Sequence, residues 1–292
     1  MQIKHSISNL IKKIIAARSF TVDLYTPLFG LIPKVAPLIE SPLIGPLLRR
    51  MIMIEPDEAR HTQTYLLNLN EEITENAQDV VLPIEMIKQV VKDSSYRMVM
   101  DRCLCRVVYD CKDFPHDHGC LFIGEGARVS VENGIAREVS VEEALAFVDK
   151  GAELGLIGHA LWIEFESYVW GIKDEDVHRC LDICFCCPCC CTAFNLLRYS
   201  NYKKLTSRFR SIGWKVSCDH EACSLCRQCV QRCPVGAIFV QGDRMVIHEE
   251  ACLGCGICAV KCPEKALTLS LKTPLKGGIK DYFEQGGITL DV

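Results

Sequence analysis

Two cysteine runs of one design, set 29 residues apart, constrain this chain more than anything else in it. Cys223-x2-Cys226-x2-Cys229-x3-Cys233-Pro234 is followed by Cys252-x2-Cys255-x2-Cys258-x3-Cys262-Pro263. A [4Fe-4S] cube needs one thiolate on each iron, and a chain that turns every three residues can wrap three of them. The fourth must come from elsewhere. In the two-cluster arrangement the last cysteine of each run crosses over. That predicts one cube on Cys223, Cys226, Cys229 and Cys262, and a second on Cys252, Cys255, Cys258 and Cys233. Two intact copies of the run exceed what chance supplies, which sets a disulfide or a zinc site aside here. Each copy continues into a short helical segment and a β-prone run, Ala237 to Val240 in one and Ala266 to Leu269 in the other. The expected unit is two halves related by pseudo-twofold symmetry, with the clusters replacing much of the core.

A length of 292 residues suggests one large or two to three small domains. Twenty cysteines in a secreted mini-protein would mean disulfides, but this chain is long and opens without a signal-peptide pattern. No run of about 18 uninterrupted apolar residues is present, so no membrane span is expected. The expected compartment is reducing: the cytoplasm, with the inner membrane face as a place of peripheral attachment. The formal charge of −4 counts every cysteine as neutral. Four thiolates around a cube leave about −2 per site, so two clusters bring the loaded protein to roughly −8. Nucleic acid is therefore a poor partner, and a redox protein with basic patches a better one.

The expected fold class is α+β, in four zones. Residues 1–82 hold no cysteine. They open with Ile3, Ile7, Leu10, Ile11, Ile14 and Ile15 on one helical stripe, with Lys4, Lys12, Lys13 and Arg18 off it. Such a basic amphipathic helix packs on its own domain, meets a second copy of the chain, docks in a partner's groove or lies on an anionic membrane. Pro27, Pro33, Pro37, Pro42, Pro46 and Pro56 then punctuate an apolar arm and argue against a long helix. Residues 83–213 read as a mixed α/β, cysteine-rich domain. A helix begins at Pro83 with Ile84, Ile87, Val90 and Val91 inward, and a short strand is expected from Tyr96 to Met100. Ser140 and Glu143 form a capping box for a second helix with Leu145, Val148 and Ala152 buried and Gly155 at C′. Leu156 to Phe165 reads as a strand in which His159 is expected to be structural. Residues 214–272 form the two-cluster domain, and residues 273–292 an irregular surface wrap.

The middle zone carries eleven further cysteines. Cys103, Cys105, Cys111 and Cys120 are enough for one cube or one tetrahedral metal. Cys180, Cys184, Cys186, Cys187, Cys189, Cys190 and Cys191 follow, and Cys184, Cys187 and Cys190 repeat the C-x2-C-x2-C frame of the two runs. Free thiols in such number would be an oxidation hazard, so one or two additional Fe-S clusters are expected. The two groups either hold separate clusters or share ligands, with a zinc site as the alternative. Cys218 lies outside every frame and is read as a spare buried thiol. Arg106 is placed either beside a cluster or in a surface salt bridge, and His116, Asp117 and His118 in a polar turn.

Residues 215–270 resemble a bacterial-type 2[4Fe-4S] ferredoxin domain. The middle zone, with C-L-C-R at 103–106, V-E-E-A-L at 141–145, G-L-I-G-H at 155–159 and I-C-F-C-C-P-C-C-C at 183–191, resembles a group of cysteine-rich dicluster ferredoxin-like proteins of anaerobes. The resemblance implies anaerobic redox metabolism. The functional expectation is an iron-sulfur electron-transfer protein, or a subunit through which electrons enter, passing single electrons between redox partners. The alternative is an oxidoreductase whose middle cluster binds a substrate or second cofactor. Gly124-Glu125-Gly126 lacks the third glycine of a dinucleotide fingerprint and no P-loop is present, which favours a carrier or oxidoreductase subunit over a stand-alone enzyme.

Overall fold

The computed structural model describes residues 2–51, 63–67, 69, 83–162, 164–199, 209–272 and 277–292. Its centre is a seven-stranded sheet built from β1 (Gln63–Leu67), β2 (Arg97–Met100), β3 (Leu121–Ile123), β4 (Ala136–Glu138), β5 (Ile157–Trp162), β6 (Leu181–Cys186) and β7 (Phe209–Ser211), in the order β4-β2-β3-β6-β5-β1-β7. Every pairing is antiparallel except β1 with β7. Side chains alternate across such a sheet. Val99, Leu121, Ile123, Leu181, Ile183 and Phe185 point to the larger core, under helices Pro83–Asp93, Val141–Glu153 and Ile279–Gln285. Met98, Met100 and Phe122 point the other way. That second face also carries Asp182, Cys184 and Cys186 of β6, and it is covered by the N-terminal arm and helix Glu164–Trp170.

The capping box forms as the sequence predicts: the Glu143 N–H donates to Ser140 Oγ, and the Ser140 N–H donates to the Glu143 carboxylate. Gly155 (φ 71°) closes that helix. The buried face of the helix is centred on Ala144, Val148 and Gly151, which leaves Leu145 and Ala152 half-buried at its flanks. Gly151 is inward because a Cβ there would meet the Phe185 ring at 2.4 Å, too close for any side chain. Ile84, Ile87, Val90 and Val91 are buried as expected. The strand expected from Leu156 to Phe165 ends at Trp162, and a helix begins at Glu164.

The C-terminal tail is not an irregular wrap. Ile279–Gln285 is helical, the Asp281 carboxylate accepts the Gly278 N–H at 2.6 Å, and Phe283 is fully buried with its ring centroid 4.9 Å from that of Tyr65. The glycines that suggested irregular chain bracket a short helix instead.

The arm departs most from expectation. Helix Gln2–Ile15 forms, but its apolar stripe faces outward: Ile7, Leu10, Ile11, Ile14 and Ile15 are exposed. Its polar side faces the domain, where Lys12 is fully buried, Ser8 donates to Asp174 at 3.0 Å and Asn9 donates to Glu175 at 2.9 Å. Among the described residues, these side chains are not packed into the chain's own core. A second helix, Val22–Val35, runs through Pro27 and Pro33 and continues as a 3-10 segment, Ala36–Glu40. Each proline removes one backbone bond without ending the helix. Val22–Glu40 is long and apolar enough, by length and composition, to cross a bilayer, at a mean hydropathy of 1.3.

The remaining strands form two hairpin-like pairs, β8 (Trp214–Cys218) with β11 (Leu267–Leu271) and β9 (Ile238–Gln241) with β10 (Arg244–Ile247), around the paired cysteine runs. Their buried side chains, Trp214, Val216, Ile238, Met245, Leu267 and Leu269, join the larger core.

Candidate metal centres

The two runs are superimposable in their backbone signs. Residues with positive φ fall at Leu225 and Gly254, at Arg227 and Gly256, and at Gly236 and Lys265, each pair 29 residues apart. Three of the six are not glycine, so the left-handed turns are imposed by the wrap around the site. The arrangement produces two small cavities of about 20 Å³ each. Cys223, Cys226, Cys229 and Cys262 line one, and Cys233, Cys252, Cys255 and Cys258 line the other. Apolar side chains close the inner walls, Met245 and Leu267 in the first and Val216, Ile238 and Ile257 in the second, while Ser224, Arg227, Gln228 and Glu264 also border the first.

Backbone donors converge on the sulfurs. The Ala237 N–H donates to Cys233 Sγ at 3.2 Å, the Gly254 and Val216 N–H groups donate to Cys252, and the Ile257 N–H donates to Cys255. Burial raises the thiols of Cys252 and Cys255, the latter to about 12, while these N–H groups act in the opposite direction. Thiols so buried, yet supplied with donors to the thiolate form, fit a positive iron-sulfur core that takes the proton's place. Cys218, read as a buried spare, is half-exposed beside the first quartet. Burial and the neighbouring Cys223 raise its thiol to about 11.

The eleven middle cysteines separate into groups. Cys111, from the turn after helix Leu104–Val108, meets Cys187, Cys189 and Cys190 from the loop after β6, and the four sulfurs all lie within 4.8 Å of one another. The Cys189 thiol and the N–H of Cys190 both favour the Cys187 thiolate, which is lowered to about 5 against its burial; Arg106 adds to this. Cys120 lies 2.9 Å from Cys184, whose thiol donates to Asp182 at 3.2 Å. Cys191 lies 3.3 Å from Cys186, and Cys105 donates to Thr192 at 3.2 Å. Cys180 sits apart, buried among apolar side chains of the second face.

Cys103, Cys105, Cys120, Cys184, Cys186, Cys187 and Cys191 line one chamber of about 180 Å³. Opposite the thiols its wall is mostly apolar, from Phe29 and Ile32 of the arm to Phe165, Val169 and Trp170, with one carboxyl among them, Glu166, which burial and then Asp182 push well above the usual carboxylate range. Arg106 is wholly buried beneath the thiols. It donates to the carbonyl oxygen of Phe185 at 2.8 Å and to that of His118, and Cys103, Cys187, Cys186 and Cys120 favour its charge against the cost of burial. A surface salt bridge is therefore ruled out for it. His118 is also buried, stacked 4.0 Å from the Phe147 ring, and burial followed by Arg106 lowers it to about 4. The His116 ring meets a nearby carbonyl, Cys111 O at 3.0 Å.

His159 and Asp182 were missed as site residues. In the register of β5 and β6, His159 stands opposite Cys184 and Leu161 opposite Asp182, so all four share the chamber face. His159 is fully buried, with Nδ1 3.7 Å from Cys186 and Nε2 unpartnered, and burial lowers it to about 3. The signal available in the sequence was parity. Asp182, Cys184 and Cys186 alternate along one strand, which puts a carboxylate on the thiol face.

Among known families, residues 222–266 match the 4Fe-4S dicluster domain. No curated protein matches the chain. The match covers the paired runs and supports a C-terminal ferredoxin-like domain, iron-sulfur clusters and an electron-transfer role with redox partners.

Proposed function

We propose that this chain is an iron-sulfur electron carrier, or the subunit through which electrons enter a larger oxidoreductase, in anaerobic metabolism. Its two ferredoxin-type [4Fe-4S] clusters would be held by Cys223, Cys226, Cys229 and Cys262 and by Cys252, Cys255, Cys258 and Cys233. The carrying observation is that the two cavities are lined by these two quartets, each drawing its fourth cysteine from the other run. A [4Fe-4S] cluster, when bound, accepts and returns one electron with little change of shape. Around it, Met245, Ile238 and Ile257 exclude water, and N–H groups such as those of Ala237 and Gly254 stabilise negative charge on the sulfurs. The anaerobic setting rests on the resemblance of the middle zone.

The chamber is proposed as the place of a further cluster, on ligands drawn from Cys103, Cys105, Cys120, Cys184, Cys186 and Cys191. Its far wall, mostly apolar with the Glu166 carboxyl set in it, favours the second reading, an oxidoreductase in which a substrate meets that cluster. Iron and sulfide analysis of anaerobically purified protein, with stepwise reduction followed by electron paramagnetic resonance, tests both. About eight irons per chain would confine clusters to the ferredoxin domain and remove the further cluster. An iron content below about eight, with neither ferredoxin signal, would remove the carrier reading.

We also propose that the arm rests on an anionic bilayer surface. Among the described residues, twelve of the fourteen exposed large apolar side chains lie between Ile7 and Leu47. Residues 1–51 carry seven Lys and Arg against two acids in a chain of net charge −4, and six of them are left when Lys12, paired with Asp174, is set aside, so this segment is complementary to anionic lipid. Flotation should carry the protein with phosphatidylglycerol vesicles at low salt and less with phosphatidylcholine vesicles, and Ile14→Asp with Leu43→Asp should abolish it. Absence of flotation together with a dimer dissociated by those substitutions would assign the face to a second copy instead.

A further inference from the structure

We infer that Cys111, Cys187, Cys189 and Cys190 hold a single tetrahedrally coordinated metal ion, zinc or iron, and not a [4Fe-4S] cube. The inference stands beside the electron-carrier reading and needs only that the middle region binds metal.

Spacing carries it. Cys111 Sγ is 3.7 Å from Cys189 Sγ, Cys190 Sγ is 3.5 Å from Cys189 Sγ, and all four sulfurs lie within 4.8 Å of one another. One ion with metal–sulfur bonds of about 2.3 Å sets its tetrahedral sulfurs about 3.8 Å apart. A cube places four irons between its thiolates and so holds them farther apart. The same chain supplies the comparison. Among the described residues, the groups that meet the 4.8 Å condition are this quartet and Cys120 with Asp182 and Cys184; neither ferredoxin quartet meets it. Those quartets enclose cavities, whereas Cys111, Cys189 and Cys190 line no part of the neighbouring chamber.

The local chain is built to present these sulfurs. Cys187-x2-Cys190 is the knuckle spacing of tetrathiolate sites, and the Cys190 N–H donates to the Cys187 sulfur. On the other side Asp110 takes a positive φ of 45°, a left-handed turn that aspartate tolerates better than most residues, and it redirects the chain at Cys111. The turn is fixed by the Cys111 N–H donating to Arg106 O at 3.0 Å and by His116 at Cys111 O. Three of the four thiols are buried and Cys189 is exposed. A closed four-thiolate site is structural in type: it would clamp the Cys111 turn to a loop 78 residues away and brace the chamber wall at Cys187.

The test compares metal and acid-labile sulfide in the anaerobically purified full-length chain with those in Cys189→Ala, which supplies no ligand atom and is chosen because that thiol is exposed. The expected result is loss of one zinc, or of one iron without sulfide, with sulfide content and both ferredoxin resonance signals unchanged. Growth on cobalt should give the tetrahedral thiolate-cobalt absorption in the wild type and not in the variant. Loss of about four irons together with about four sulfides would make the quartet a cube and overturn the inference. So would an unchanged metal content, or a disulfide among the four thiols. If the variant misfolds, alkylation of the wild-type protein decides: these four thiols should be protected together and released together by a chelator that leaves sulfide intact, and independent reactivity would refute the site. Because the ferredoxin signals are read separately, failure here is distinguishable from failure of the carrier reading.

Discussion

The Lys12 ammonium lies 2.7 Å from an Asp174 carboxylate oxygen, with the two side chains only 1 % and 9 % exposed. Lys12 also stands 4.9 Å from the centroid of the Tyr168 ring. A charge so buried would be costly alone, so this pair fixes which side of the first helix meets the domain, and thereby turns the isoleucines outward.

Breaking that pair should release the arm. Asp174→Ala leaves Lys12 buried without its partner, a change that costs about 3–5 kcal/mol in comparable sites. The expected outcome is rapid tryptic cleavage at Arg18 while the remaining domain stays resistant. Unchanged cleavage kinetics would mean that the helix is held by other contacts.

Phe283 should behave as a core residue although it lies nine positions before Val292. Its full burial against Tyr65 predicts a loss of about 3–5 kcal/mol for Phe283→Ala, read as a fall in denaturation midpoint. A tail that merely covered the surface would give a change within about 0.5 kcal/mol.

The contrast between these two segments shows what the sequence made legible. Repeat spacing and the capping box are local signals, and each gave the right element, whereas the alternation along β6 went unread. The orientation of helix Gln2–Ile15 is not local. Its stripe fits a core face, a second copy, a partner's groove or a membrane alike, and it is the non-local residues Tyr168, Asp174 and Glu175 that fix which side meets the domain. The tail failed for a similar reason, since Phe283 gains its partner from Tyr65, 218 positions earlier. In the middle zone, cysteine identity announced metal, but the grouping of Cys111 with the Cys187 loop depends on a chain crossing that spacing does not encode.

Arg106 should tune and hold the chamber. Its guanidinium is buried among Cys103, Cys186, Cys187 and Cys120 and tied to two carbonyl oxygens. Arg106→Gln keeps a donor but removes the charge. A cluster held there would become harder to reduce, and its potential should shift downward while the ferredoxin signals stay in place. The contrary result, a shift confined to the ferredoxin signals, would place Arg106 outside the chamber's electrostatics.

The sharing of cysteines between the two runs makes the last prediction the most discriminating. If each run's fourth cysteine serves its own neighbours, Cys262→Ser should damage the same cluster as Cys255→Ser. The cavities pair Cys262 with Cys223, Cys226 and Cys229 instead, and Cys233 with Cys252, Cys255 and Cys258. Cys262→Ser and Cys226→Ser should therefore perturb one and the same resonance signal, and Cys233→Ser and Cys255→Ser the other. Serine can replace a ligand, so the expected change is a shifted signal or the loss of about four irons, never of both clusters at once. Cys218→Ser serves as the control: its half-exposed thiol lies beside the first quartet without lining the cavity, so iron content should hold. Pairing of Cys262→Ser with Cys255→Ser would show that the repeat folds as two independent halves.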